Sequence, residues 1–321
     1  MGISLGGSSA LVTPRDDIGL GFDEIDVEAM RMGYVGLQIA PIIEANVAFG
    51  QFRKMKINQW LQPRVTERNA DGGYKRIGSE FEPDTFRTEE HGLECPVDYR
   101  DAAVYAGMID SEMVAAELTR HGVLEAHEQR VIALVDAITP VTADNEFDDD
   151  AAAITLDFVE YKQAFRAQCG FAPTSLCLDS ELVDYLMENG SVQDKFVGSQ
   201  DRTARAITLK GLAAALGLDE VIEANGMKNT VASPKAASLS AIWPRDKALL
   251  FRRSTAPTVL VPQFMRTIHW SGNGSRPGCV FEEYEEPQKN GKVLRHRMDC
   301  IEKVIYASCA MVLDGITTPA P

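Results

Sequence analysis

The residues of this chain that could do chemistry are few and poorly spaced for it. A zinc-binding pair on a helix needs two histidines at i and i+4, so that both rings share one face. His121 and His127 do not have that spacing, and no His-Glu-x-x-His frame surrounds them. They read as polar helix positions. Six cysteines stand at 95, 169, 177, 279, 300 and 309, with no Cys-x-x-Cys pair among them. They are too sparse for a disulfide scaffold and read as reduced, partly buried thiols in a cytoplasmic compartment. The acidic run Asp144, Glu146, Asp148, Asp149 and Asp150 begins like a calcium loop. Position six of such a loop needs Gly and is Asp149; position twelve needs Glu and is Thr155. A solvated acidic loop is what remains. The glycines at 2, 6 and 7 follow no strand and precede no Gly-Lys-Ser/Thr, so they make no phosphate loop. Residues 152–262 contain no nucleophile elbow and no triad spacing. The expectation is a chain with no catalytic, cofactor-binding or metal-binding residue, and no cofactor.

Bulk composition narrows the class further. The chain has 321 residues, 45% of them hydrophobic and 25% charged, which is the profile of a globular protein and not of a disordered one. Lys plus Arg is 32 and Asp plus Glu is 47, giving a net charge of −15. A protein that coats a polyanion needs a basic surface, so that function is disfavoured. No apolar run reaches the length of a membrane span. The N-terminus lacks the basic start and apolar core of a signal peptide, and Gly6 stands where myristoylation wants Ser or Thr. The sequons at Asn189 and Asn273 therefore read as turns.

The elements come in a definite order. Glycines at 2, 6, 7, 19, 21, 33 and 36 mark residues 1–40 as an arm, with a short helix expected at Asp23–Met32. Residues 52–97 read as a long hairpin. Its first leg is Phe52–Thr66, its turn Asn69-Ala70-Asp71-Gly72-Gly73, and its return leg Tyr74–Val97. Apolar residues are thin there and charges dense. A two-stranded ribbon this long cannot bury enough of itself, so it must lie on another surface, in its own chain or in another subunit.

A long helix follows. Asp110 or Ser111 can cap it, apolar residues recur at three- and four-residue steps from Met113 to Ile138, and Pro140 ends it. Its length is about 43 Å. Arg120, His121, Glu125, Glu128 and Arg130 read as its solvated face.

Residues 152–262 read as a compact mixed domain. Helices are expected at Asp157–Cys169, Asp179–Met187 and Thr208–Leu216, and strands at Ser175–Leu178, Glu220–Ala224, Leu239–Trp243 and Ala248–Phe251. The last part is strand-rich. Val280–Tyr284 and Lys292–Asp299 flank an Asn290-Gly291 turn. Ile301–Leu313 reads as one long apolar strand needing a cover, for which the long helix is the natural partner. That pairing makes the 152–262 domain an insertion.

In this order the chain resembles the major capsid proteins of tailed bacteriophages, with the Hong-Kong-97-type capsid fold. Three stretches carry the likeness. One is EPDTFRTEEHGLECPVDY after Phe81, like a hairpin leg entering a spine helix. The second is the spine segment DSEMVAAELTRHGVLEAHEQRVIALV. The third is LKGLAAALGLDEVIEA followed by SLSAIWPRDKALLF, like a helix and strands of the axial domain. The likeness lies in their order and spacing.

The resemblance implies an α+β fold in four parts: an N-terminal arm at 1–45, an extended hairpin loop at 46–98, a peripheral spine domain at 99–151 with 263–321, and an axial domain at 152–262. It implies no enzyme but self-assembly, through hexamers and pentamers, into an icosahedral head shell around double-stranded DNA. The shell would be assembled in the host bacterial cytoplasm and located in the virion. Portal and decoration proteins are implied partners; a membrane and sequence-specific DNA binding are not. Only about forty residues precede the hairpin, so scaffolding is expected from a separate protein. Candidate intersubunit contacts are Trp60, Leu61, Arg64, Arg68, Tyr74, Arg76, Phe81 and Phe86. Lys54, Lys56 and Lys75 read as ion-pair partners. The other readings are an encapsulin-like nanocompartment shell, a decoration or portal component, and an α/β enzyme with no recognisable motif.

Overall fold

The computed structural model describes residues 13–14, 29, 32–64, 66–67, 76–78, 80–105, 110–197, 208–231, 236–256, 258–272, 280–286, 288, 290 and 291–318. The helix expected at 23–32 and the turn at 69–73 lie largely or wholly outside them. The chain divides into two compact units. One draws its described residues from 1–49, 87–133 and 267–302, the other from 50–86, 134–266 and 303–321.

The first unit is built on the strand Gly291–Val304. It pairs antiparallel with Val280–Glu286 on one side and with Glu89–Asp98 on the other. The Asn290-Gly291 turn forms as expected, with Asn290 at φ 49°, a conformation that Asn tolerates better than most residues. Met265–Trp270 and Ile42–Ala45 extend the sheet, the latter in parallel register. Register places Arg295 opposite both Glu94 and Glu282. Its guanidinium donates to Glu282 at 2.5 and 3.0 Å, and Arg297 donates to the other Glu282 oxygen at 2.8 and 3.0 Å. Opposite charges facing each other across strands hold that register, because a one-residue slip would turn them to the other face.

The helix Ser111–Asp136 covers this sheet. Asp110 is its cap, accepting from the N–H groups of Glu112 and Met113 at 3.0 and 3.3 Å. Ala115 and Ala116 pack into one cluster with Val97, Phe281 and Leu294. The expected solvated face holds only in part: His121 is exposed and Arg120, Glu125 and Arg130 are half-buried, but two polar side chains turn fully inward. Glu128 is 0% exposed and His127 is buried. The Glu128 carboxylate accepts from the backbone N–H groups of Val35 and Gly36, the latter at 2.5 Å, and so ties down the short helix Gly36–Ile39. Gly36 is required by this approach: a Cβ there would lie 2.6 Å from Glu128 Oε2 and 3.0 Å from His127 Nδ1. Arg130 donates to both oxygens of Glu302 at 2.9 Å, and His127 stands 3.4 Å from the same carboxylate. Thr119 shares a 2.7 Å hydrogen bond with His296. Periodicity sees only which residues are polar; buried strand partners turned these inward.

Two expected strands are broken. The return leg of the hairpin is two strands, Phe81–Arg87 and Glu89–Asp98, which enter different sheets. Their junction at Thr88 is tied back to Ala48 O at 2.8 Å. The expected strand Ile301–Leu313 is also two. Gly291–Val304 ends in the first sheet, and after a 3-10 turn at Ala307–Cys309 the strand Ala310–Asp314 joins another. The apolar run is continuous because both ends are buried, each in a different sheet.

The second unit holds that other sheet, in the order Val141–Thr142, Ala310–Asp314, Lys247–Phe251, Ser175–Asp179, Glu220–Ala224. Ser175–Asp179 is buried along its whole length and runs parallel to Glu220–Ala224. The helix Ile154–Cys169 starts one turn before its expected Asp157 and stops where Gly170 adopts φ 79°. Thr208 and Gly217 begin and end Leu209–Leu216 as their types predict. Asn189 does more than turn the chain: its side-chain oxygen accepts from Ser191 N–H and opens a helix, Gly190–Val197, that the sequence reading did not include. The acidic loop at 144–150 is pinned by the buried Phe147 and by Thr318, which donates to Glu146 and Asp148.

Burial pushes His127 and His296 down to about 4 from an ordinary 6.5. Both are therefore neutral in the fold at pH 7. Their stabilisation is complete above pH 6.5 and lost as pH falls toward 4, because the unfolded chain takes up the protons first. A shift of this size corresponds to about 3 kcal/mol per ring. Denaturant titrations from pH 7 to pH 4.5 are expected to show a steep loss of stability that flattens in H127Q/H296Q. An unchanged slope in that double variant would refute the assignment. Gly36→Ala is expected to cost about 3 kcal/mol at pH 7, from the collision and the lost hydrogen bonds, in the same assay.

Candidate assembly surface

The hairpin root is built from the bottom of two strands. Phe49–Met55 pairs with Phe81–Arg87, and Phe52 and Phe86 stack at 6.4 Å across them. The root is fixed within its own unit. Lys54 Nζ donates to Ile305 O at 3.3 Å and lies 3.5 Å from Asp84. Lys303 Nζ is 3.0 Å from the other Asp84 oxygen. Burial alone would raise the Asp84 carboxyl, but these two ammonium groups and the Thr85 N–H bring it below its ordinary value. Tyr306 Oη donates to Met55 O at 2.7 Å. The chain itself thus supplies the surface that the ribbon's base requires.

Past Met55 the first leg is not a strand. Ile57–Leu61 forms one short helix, and Pro63 follows its end, where a helix cannot continue freely. The helix is tied to the returning chain by Gln59, whose Oε1 accepts from Glu80 N–H at 2.9 Å, and by a Lys56–Glu80 pair at 3.5 Å. Lys54 and Lys56 are ion-pair partners as expected; Lys75 lies outside the described residues.

The expected contact residues now separate by position. Trp60 is 47% exposed and Leu61 nearly the same, though Leu61 also lies on Gly170, where a Cβ would collide with it. Arg64 is exposed and donates to Gln59 O at 2.9 Å. Arg76 is exposed, as are Phe81 and the neighbouring Ile77. Phe86 is half-buried against Phe52 and is a root residue. Arg68 and Tyr74 lie outside the described residues. The first unit has an apolar surface of its own that the sequence reading missed. Leu118, 62% exposed, stands with Met113 and Val114 on the outer face of the spine helix. Val114, Leu118, Tyr105, Cys95 and Pro96 line a groove of about 290 Å³ with Asp98 and Asp101 on it. The signal was available in part: the apolar residues at 114 and 118 fall off the buried stripe of 115, 116, 119, 123 and 127. Exposed apolar clusters of this kind mark interaction surfaces.

Among the described residues no group of His, Cys, Asp and Glu could hold a metal ion, and no helix is long and apolar enough to cross a membrane. No protein-family model and no curated protein matches the chain. Solved structures do. A phage-related protein of Bordetella bronchiseptica RB50 superposes with a TM-score of 0.64 at 17% identity, over 89% of this chain and 93% of that one. The capsid of cyanophage P-SCSP1u gives a TM-score of 0.55 at 12% identity, over 87% of each chain. The chain has the Hong-Kong-97-type capsid fold. The subunit of the holo-SrpI encapsulin complex of Synechococcus elongatus PCC 7942 is also similar, with a TM-score of 0.51 at 12% identity over 88% and 86% of the two chains.

Ser111–Asp136 is the long helix over the first sheet, and the strands 49–55 and 81–87 pair as a two-stranded stem. The stem is bonded to the 303–306 segment, and the described residues beyond it on both legs are largely exposed. Tyr306→Phe removes the bond to Met55 O and is expected to cost about 1 kcal/mol. Hydrogen exchange is expected to quicken at 52–55 and stay unchanged at 175–179; equal change in both would show that the anchor is not local.

Proposed function

We propose that this protein is the subunit of a closed icosahedral shell, the major capsid protein of a tailed-bacteriophage head enclosing double-stranded DNA. The observation that carries the reading is the pairing of a capsid fold with a hairpin whose two legs leave Trp60, Ile77 and Phe81 uncovered. A stem fixed in its own subunit with apolar, charged legs is built to lie on another copy. The two legs carry Lys56, Arg64 and Arg76, while the first unit's apolar groove carries Asp98 and Asp101. Those charges favour docking between copies in one register and penalise like-charge mispairing. Interfaces of this type are apolar at their centre and polar at the rim.

In this reading residues 1–45 are the arm, 46–98 the extended loop, 99–151 with 263–321 the peripheral domain, and 152–262 the axial domain. Copies gather as hexamers and pentamers, and Trp60, Leu61, Arg64, Arg68, Tyr74, Arg76 and Phe81 make contacts between them. Scaffolding, portal and decoration proteins are separate chains, and the DNA is held without sequence recognition. Assembly takes place in the host cytoplasm, and the protein itself performs no catalysis.

A second reading, a nanocompartment shell around a protein cargo, is supported by the similarity to the encapsulin subunit. Nucleic acid in particles isolated from the native source favours the phage head; a packaged enzyme without nucleic acid favours the compartment. Replacing residues 63–79 with a short Gly-Ser link is expected to leave a folded, soluble protein that forms no closed shells by negative-stain microscopy. Normal shells from that deletion would remove the hairpin from the mechanism. A full-length protein that stays strictly monomeric at high concentration would count against both readings.

A further inference from the structure

Cys169 and Cys309 are both 0% exposed, and their sulfurs lie 2.8 Å apart. They face each other across two elements of the second unit. Cys169 is the last residue of the helix Ile154–Cys169, and Cys309 closes the 3-10 turn before the strand Ala310–Asp314. The flanking residues run side by side as well. Gln168 Nε2 donates to Ala310 O at 3.4 Å. Arg252 clamps the chain on both sides of the pair: its backbone N–H donates to Cys309 O at 3.0 Å and its guanidinium to Ala172 O at 2.9 Å. Hydrogen bonds among the three segments 168–172, 252 and 309–310 thus hold the backbone around the two thiols.

We propose that Cys169 and Cys309 are a modification site: they stay as thiols in a reducing compartment and close to an intrasubunit disulfide when the protein meets a peroxide. The hydrogen bond between the two thiols, with Arg252 nearby, holds the Cys169 thiol below its ordinary value and pushes Cys309 up. Cys169 is thus the nucleophile, since the thiolate is the reactive form. Its sulfur attacks one peroxide oxygen, the O–O bond breaks, and a sulfenic acid and one water result. The Cys309 sulfur then attacks the sulfenic sulfur, the S–S bond forms, and the sulfenic oxygen leaves with the Cys309 proton as a second water. Two electrons pass from the two sulfurs to the peroxide. The bond closes a loop of 140 residues, running from the axial helix through the first unit's strands and back. Long loops are those whose closure most restricts the unfolded chain.

The inference does not depend on the shell reading. The test treats the folded full-length protein with hydrogen peroxide, blocks remaining thiols, and maps peptides without reduction. The expected result is one cross-linked species joining the peptides that contain Cys169 and Cys309, with two hydrogens lost. The oxidised protein is expected to melt roughly 5–10 °C above the reduced one. Both measurements use the wild-type chain, so they stand even if a serine variant fails to fold. Cys169 and Cys309 both recovered as blocked thiols, or linked instead to other cysteines, would overturn the proposal. So would a linked pair with no rise in melting temperature.

Discussion

A carboxylate taken out of water must be given donors, and the first unit is organised by that requirement. Glu128 and Glu302 both lie in its dry interior. Glu302 is answered by Arg130 and His127 from the spine helix, and Glu128 by two backbone N–H groups of the chain before the first strand. Leaving either unanswered costs far more than a pair contributes, because a buried charge without a partner is among the most destabilising defects a fold can carry. The helix, the central strand and the 34–39 segment are therefore constrained to one mutual arrangement.

That constraint explains why some of the structure was legible in the sequence and some was not. Caps and stops were readable because they are local. Thr208, Gly217, Asp110 and the Asn290-Gly291 turn act through backbone atoms a few residues away. The inward turn of Glu128 and Arg130 was not readable, since nothing within the helix distinguishes a solvated Glu from one that meets Gly36. The strand breaks at Thr88 and at Ile305–Tyr306 were hidden for a related reason. A run of apolar or alternating residues reports burial, but not that its two halves are buried in different sheets.

The candidate surface divides in the same way. Trp60 and Leu61 could be singled out because large apolar residues stood in a charged ribbon. Phe86 looked equivalent in sequence and is not, because Phe52 faces it across the strand pair. The apolar outer face of the spine helix went unread because Met113 fits the same three- and four-step pattern as the buried residues. A surface that meets a partner leaves no catalytic spacing to detect. Its only trace is surplus apolar surface, which becomes visible after the core has claimed its share.

The threading of the chain has a consequence for its synthesis. Among the described residues the strand Glu89–Asp98 pairs with Gly291–Val304, about two hundred residues later. At ordinary ribosomal speeds of about 5–20 residues per second, the first half waits roughly 10–40 s for the strand that completes its sheet. During that interval a nascent chain carries an open strand edge and an uncovered helix. Polysomes translating this message place several such edges close together. Pairing between neighbouring nascent chains then competes with pairing within one chain.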